Sequence, residues 1–403
     1  MANLTPRRLA KIALLTLGGG ALAASSAFAA HNAILGTEGQ RTAFVTANGT
    51  RITTPANVDR LLISAPDEIR NPGLATWSRD MLRESPLNAR ALRIYAYVAN
   101  QRGESAVERR AMELAARVSR RDVLSQLWLI ESDVGRNDLQ GALVHYDIAL
   151  RTAPEVRSLL FEQLSSALSD PGVNKAVATL IRTRPLWLPD FVNAAINTKD
   201  NPRHLEHAIA AGGGLPNTPA FAPLRPLLLQ KLVATGEFGA ARRFYLAMPG
   251  AKPATLAQPG FNRDTIEGDY APFTWGIGED PLITVGLEPY GEENGAAARV
   301  AASFGGHGRA LRRLLFLTPG TYKFSERREV AQASPDAAFR WSLSCGTATT
   351  PLQTWDASTV LLKVPAGCGA QLIELTVSAG SDQGGAEAVI SDLSIRPVAA
   401  PKP

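Results

Sequence analysis

The chain is poor in the residues that build most catalytic and metal centres. Of its 403 residues only two are cysteine and five are histidine. A multi-cysteine zinc site, or the dense disulfide framework of a small secreted domain, is excluded on that ground. Aromatic residues make up 6%, so few rings exist to serve as stacking platforms and each tryptophan has to be placed individually. No G-x-S-x-G is present, no glycine-rich phosphate loop ending in Lys-Ser/Thr, and no Cys/His pair with a local signature. His204-Leu205-Glu206-His207 has its glutamate beside the wrong histidine and its histidines three apart, whereas a zinc protease needs them four apart. These two histidines, and His145, read as surface residues.

What is present is an ordinary globular composition, 45% apolar and 20% charged. The sequence pI of about 9.3 is misleading. Residues 1–29 carry Arg7, Arg8 and Lys11 and no acid, so without them the net charge falls from +5 to +2. The rest is uneven: residues 30–254 hold 27 basic and 21 acidic side chains, while 255–403 hold 12 and 16. A basic half and a mildly acidic half describe two domains and no nucleic-acid groove.

Residues 1–29 read as a signal peptide. A basic start is followed by an apolar run from Ile12 to Ala24, too short to span a bilayer comfortably, and by Ala27-Phe28-Ala29 as a cleavage signal. The expectation is export to the bacterial periplasm, the alternative an uncleaved segment anchoring the chain to the inner membrane. Export suits Cys345 and Cys368, 23 positions apart, as a disulfide between neighbouring strands or loops. Residues 30–55, mixed and Gly/Thr-rich, read as a flexible lead-in.

Helical periodicity governs residues 56–250. Its most regular stretch, Asp122 to Pro154, reads as two amphipathic helices joined at Gly135-Arg136-Asn137-Asp138. Leu124, Leu127, Trp128 and Val134 are expected to face inward from the first. Leu139, Ala142, Leu143, Tyr146, Ala149 and Leu150 form the apolar face of the second, with Asp138 as its N-cap and Pro154 forbidding its continuation. Ala142, Tyr146, Ala149 and Pro154 fall on the small, aromatic, small and proline positions of a tetratricopeptide unit, which this stretch resembles. One repeat earlier, Met112 and Ala115 keep the 34-residue register although Glu108 replaces the small residue. Farther on, Pro185, Pro189, Pro202 and Gly212–Gly214 interrupt it. The resemblance implies an irregular α-solenoid whose default role is to hold a protein partner.

After a linker at 251–260 the period changes. Nine short β-like runs punctuated by Gly, Pro and Asp occupy residues 261–398, the rhythm of an antiparallel β-sandwich, and 399–403 form a tail. Leu317-Thr318-Pro319-Gly320-Thr321-Tyr322 and Val389-Ile390-Ser391-Asp392-Leu393-Ser394-Ile395 resemble the strand entry and last strand of jelly-roll carbohydrate-binding modules. The resemblance implies a sugar ligand and, at Asp392, one ligand of a structural calcium, for which Asp264 is the candidate partner. A sugar needs an aromatic face with polar neighbours. Trp355, flanked by Gln353, Thr354 and Asp356, and Trp275 are the candidate platforms. Trp341, alternating with Phe339 and Leu343, reads as core.

The sequence thus predicts an α+β chain of two domains: a tetratricopeptide-like solenoid and a jelly-roll-like sandwich. The expected function is non-enzymatic and without a cofactor beyond that calcium. It would serve in surface polysaccharide assembly or export, with a protein on the solenoid and polysaccharide on the sandwich. A purely protein–protein assembly role is the alternative. A glycoside hydrolase using the acids at Asp264, Glu267 and Asp269 or at Glu279-Asp280 is a remote third.

Overall fold

The computed structural model describes residues 44–52, 54–198, 202–261, 270–291, 295–334, 336–380 and 384–398. Residues 1–29, read above as a signal peptide, and the tail lie outside these. Among the described residues, twelve α-helices precede two five-stranded antiparallel sheets, an α+β arrangement. Their contacts divide them into two compact units. One holds the residues up to 198 with His207–Leu215, the other 202–206 with everything from Pro216 onward.

The first unit opens with a hairpin, β1 (Phe44–Val45) and β2 (Arg51–Ile52), over residues assigned above to a flexible lead-in. Gly49 supplies the positive φ of its turn, the Thr46 hydroxyl accepts from the Thr50 N–H, and Ala47 donates to Glu68. Phe44 is fully buried against Trp77, which makes this segment part of the core. Three helices follow, α1 (Pro55–Ser64), α2 (Pro72–Glu84) and α3 (Ala89–Gln101). Each starts behind a polar N-cap: Thr54, Asn71 and Asn88 accept from the N–H of Asn57, Gly73 and Ala91.

Helices α4 (Ser105–Val118), α5 (Val123–Gly135) and α6 (Leu139–Thr152) complete two helical pairs, α3 with α4 and α5 with α6. Asp138 caps α6 through the Gly141 N–H at 2.9 Å, and Asn137 takes the left-handed turn. Ala142, Leu143, Tyr146, Ala149 and Leu150 are buried as expected. The face of α5 is rotated from the expected one. Ser125, Gln126, Leu129, Ile130 and Asp133 are buried, whereas Leu124, Leu127 and Trp128 are only half-buried. The reason is polar pairing: Trp128 donates to the buried Glu108, which is why a glutamate stands where the pattern calls for a small residue.

Ion pairs replace apolar contacts at the centre of this unit. Arg93 on α3 is 2% exposed and donates twice to Asp59 on α1, at 2.8 and 2.7 Å. The same guanidinium donates to Asp122, just before α5, at 2.9 and 3.1 Å. Burial raises Asp59 above the ordinary carboxylate value despite Arg93. Burial also acts to raise Asp122, but Arg93 and Ser125 outweigh it and hold that group low.

His145 on α6 lies beside Gln126 (Nδ1 to Oε1, 2.7 Å) and 3.8 Å from Asp133, so it is half-buried, not on an exposed flank. Burial lowers its pKa and outweighs the attraction of Asp133. A histidine kept neutral by the fold contributes stability that is present above its unfolded value of about 6.5 and lost as pH falls below it. Urea titrations between pH 7 and 5 should therefore show wild type losing more stability than His145→Gln. Parallel pH profiles would show that the imidazole accepts its proton equally in both states.

The remaining helices of this unit, α7 (Arg157–Ala167), α8 (Pro171–Arg182) and α9 (Leu188–Asn197), are shorter, as the prolines require. Phe161, Trp187 and Phe191 pack together among them, with Trp187 donating to Asp147. Helix α10 (Pro202–Ala211) ends at Gly213 and Gly214, both at positive φ. His207 on it meets Asn174 of α8 at 2.8 Å.

In the second unit, α11 (Leu224–Ala234) and α12 (Phe238–Leu246) accompany the sheets. Tyr245 stacks on Phe273 at 4.7 Å, and Arg242 lies over Phe316. Ten strands follow: β3 (Gly276–Ile277), β4 (Ile283–Pro289), β5 (Ala296–Ala302), β6 (His307–Leu315), β7 (Gly320–Ala333), β8 (Ala338–Cys345), β9 (Gln353–Trp355), β10 (Thr359–Val364), β11 (Gln371–Ser378) and β12 (Ala386–Pro397). One sheet runs β10-β7-β12-β5-β4, the other β3-β6-β11-β8-β9. One buried cluster draws residues from both, including Phe324, Ile390 and Leu362 from the first and Trp341, Ile373 and Leu311 from the second. The two sheets therefore share a core as a sandwich.

Candidate ligand-binding face

Both candidate sugar platforms are core residues. Trp275 is 5% exposed, packs on Phe261 and Trp341, and donates its indole N–H to the Pro259 carbonyl. Trp355 is 6% exposed, stands opposite Trp341 in the β8–β9 pairing, and packs edge-on against Phe324. Stacking on a pyranose needs an open ring face, and neither has one. The polar neighbours of Trp355 misdirect because strand alternation turns Thr354 outward and Trp355 inward. Trp341 is fully buried, as expected.

Asp392 is exposed, with φ +51°, at the irregularity where β12 shifts register against β7 between Ser391 and Ser394. Its proposed calcium partner Asp264 lies outside the described residues, as do Glu267 and Asp269. No group of three His, Cys, Asp or Glu able to hold a metal occurs among the described residues. Cys345 and Cys368 form a disulfide with Cα atoms 5.5 Å apart, joining the end of β8 to the turn before β11. Buried Gln371 fixes that turn, donating to the Cys368 and Leu317 carbonyls and accepting from the Leu317 N–H.

Two buried polar groups of the sandwich were hidden in the sequence. Glu326, raised by burial, accepts from the Trp341 indole and pairs with Arg328. Arg313 on β6 is fully buried with Leu311 and Leu315 two residues to either side on the same strand face. It donates to the Thr255 carbonyl at 2.7 Å and sits 5.6 Å from the Trp275 ring centre, and its Nε and Nη1 have no partner among the described residues. Burial pushes its pKa down to about 10, so it is charged at neutral pH, with no carboxylate beside it among the described residues. Arg313→Met is expected to raise stability by about 1–2 kcal/mol, since an unmatched buried charge costs more than a packed apolar chain. Urea midpoints measure this; a lower midpoint would show that the Thr255 bond and the indole contact outweigh the charge.

The open surfaces of the sandwich are the outer faces of its sheets, and alternation decides what they carry. On β7, Tyr322 and Phe324 point inward, leaving Thr321, Lys323 and Ser325 outside. On β10, Leu362 and Val364 point inward, leaving Thr359, Leu361 and Lys363 outside. On β12, Ile395 points inward, leaving Ser394 and Arg396 outside. Register aligns these into rows across three strands. Leu361, Lys323 and Arg396 stand side by side in one, and Thr359, Ser325 and Ser394 in the next. Ser325 and Ser394 bond each other at 2.9 Å. Farther along the same face the charges are matched, Arg327 with Glu329 and Arg299 with Glu387, each at 2.7 Å. Lys323, Lys363 and Arg396 have no ion-pair partner among the described residues.

The outer face of the second sheet is also basic but more compensated: Glu374 on β11 lies within 3.4 Å of Arg309 and 3.6 Å of Arg312. No protein-family model matches the chain, and no curated protein matches it. The functional reading therefore rests on the chain's own geometry.

Proposed function

We propose that this is a non-enzymatic, exported envelope protein that acts in the assembly or export of a surface polysaccharide. A tetratricopeptide-like helical part holds a protein partner, and a jelly-roll-like sandwich engages the glycan. The observation that carries the reading is the open three-strand face of β10, β7 and β12. It offers a row of hydroxyls (Thr359, Ser325, Ser394) beside cations and the exposed Leu361. Hydroxyls donate to and accept from sugar hydroxyls, cations donate to sugar oxygens, and groups aligned across neighbouring strands suit an extended chain. The disulfide agrees with an oxidising, exported location. No described helix is long and apolar enough to cross a membrane.

The burial of Trp275 and Trp355 favours a second reading, a purely protein–protein assembly factor, because it removes the aromatic platforms most sugar sites use. Pull-down of the full chain on a panel of insoluble neutral and acidic polysaccharides, alongside co-purification from the periplasm, separates the two. Retention on at least one polysaccharide supports the first. Recovery of a stable protein partner with no retention on any polysaccharide replaces it with the second.

A further inference from the structure

The geometry points to an acidic polysaccharide, one bearing carboxylate groups along its chain, as the ligand of the β10-β7-β12 face, with Lys323, Lys363 and Arg396 as its anion contacts. This rests on the reading above that the sandwich engages a glycan, and names the class.

Charge placement carries the inference. Lys323 and Arg396 are direct register partners on neighbouring strands. Lys363 stands opposite Thr321, two residues along from Lys323 on the same face. Like charges directly opposite across strands destabilise a sheet. Elsewhere on this face each arginine has its acid, Arg299 with Glu387 and Arg327 with Glu329. At the Lys323 end no acid among the described residues compensates the repulsion, although residues 255–403 hold more acids than bases. A line of anions laid across the three strands would offset that repulsion, and the ammonium and guanidinium groups would form charge-assisted hydrogen bonds to carboxylates.

The company of these cations selects among polyanions. Thr321, Thr359, Ser325 and Ser394 add hydroxyl partners suited to sugar hydroxyls, while Leu361, 59% exposed and opposite Lys323, offers an apolar spot for a ring face. Val398, whose N–H bonds the Thr321 carbonyl, extends it. Among the described residues no aromatic ring lies on the outer face of these three strands to stack a base, which argues against single-stranded nucleic acid.

The test uses the full chain in affinity electrophoresis and titration calorimetry with polygalacturonate, with neutral dextran and with DNA at one fixed salt concentration. Lys323→Gln, Lys363→Gln and Arg396→Gln combined should weaken polygalacturonate binding by about tenfold or more, since three charge-assisted bonds are lost. Removing equal charge elsewhere, with Arg110→Gln, Arg117→Gln and Arg121→Gln, should change it far less. Lys323→Arg with Lys363→Arg should keep it, which separates loss of contacts from loss of fold. Undiminished binding by the triple variant, equal binding to dextran, or tighter binding to DNA would each overturn the inference. Equal dextran binding would leave the broader glycan reading standing; binding to no polysaccharide would remove both.

Discussion

Arg93→Ala is expected to cost the first unit about 3–5 kcal/mol, the range for removing one member of a buried ion pair. The guanidinium answers two carboxylates at once, Asp59 and Asp122, whose side chains are 7% and 10% exposed. Without it, two acids share a dry site with only Arg90, 3.8 Å from Asp59, to compensate. One of them must then take up a proton, and both lose their guanidinium donors, Asp122 keeping only Ser125 of the partners named above. The loss should be visible as faster hydrogen exchange in α1, α3 and the start of α5, with the sandwich unaffected. Arg93→Met combined with Asp59→Asn and Asp122→Asn should recover much of the stability, because the uncompensated charges leave together. If Arg93→Met alone matched wild type, the cluster would contribute nothing net and the three segments would be held by their apolar contacts.

Removing the disulfide with Cys345→Ala and Cys368→Ala should cost the second unit about 3 kcal/mol, the loop-closure value for a bridge spanning some twenty residues. The site shapes how the loss appears. Cys368 is 2% exposed and its turn is fixed by Gln371, so the bonds around the bridge persist after the sulfurs are gone. The folded ground state is thus expected to change little, with the effect falling on the unfolded chain, which gains freedom. Denaturation should shift to lower urea with the exchange pattern of β8 and β11 near wild type at low denaturant. Widespread loss of protection in both strands without denaturant would show instead that the bridge holds the native strands in place.

The elements were more legible in the sequence than the surfaces. Helices α5 and α6 were readable because Asp138, Asn137 and Pro154 mark their ends chemically. Helix α5's inward face was not, because Gln126 and Asp133 are buried against His145 and Arg109 on neighbouring helices and Ser125 against its own N-cap Asp122, and periodicity counts all three as outward. Strand β7 runs for fourteen residues, well past the stretch of apolar alternation that marks it in the sequence. Glu326 and Arg328 interrupt its apolar alternation, yet they pair with each other inside the sandwich. Arg313 is hidden for the same reason. β9, three residues long, is too short for any pattern, and losing it cost the orientation of Trp355. The cation row could not be seen at all: Lys323, Lys363 and Arg396 are far apart in sequence, and only register brings them together.

The lengths of the outermost strands bear on how readily copies of this protein could pair edge to edge. One sheet ends in strands of two and three residues, β3 and β9, too short to template another chain. The other ends in β4 and β10, seven and six residues long, whose free backbone could recruit a stranger's strand. β4 closes on Pro289, which has no N–H to offer, and Gln353 already occupies the Leu361 carbonyl of β10. Lys363 places a charge on that same rim. A charge on that rim guards against fibrous self-association, so concentrated stocks are expected to become more prone to aggregate when Lys363 is neutralised.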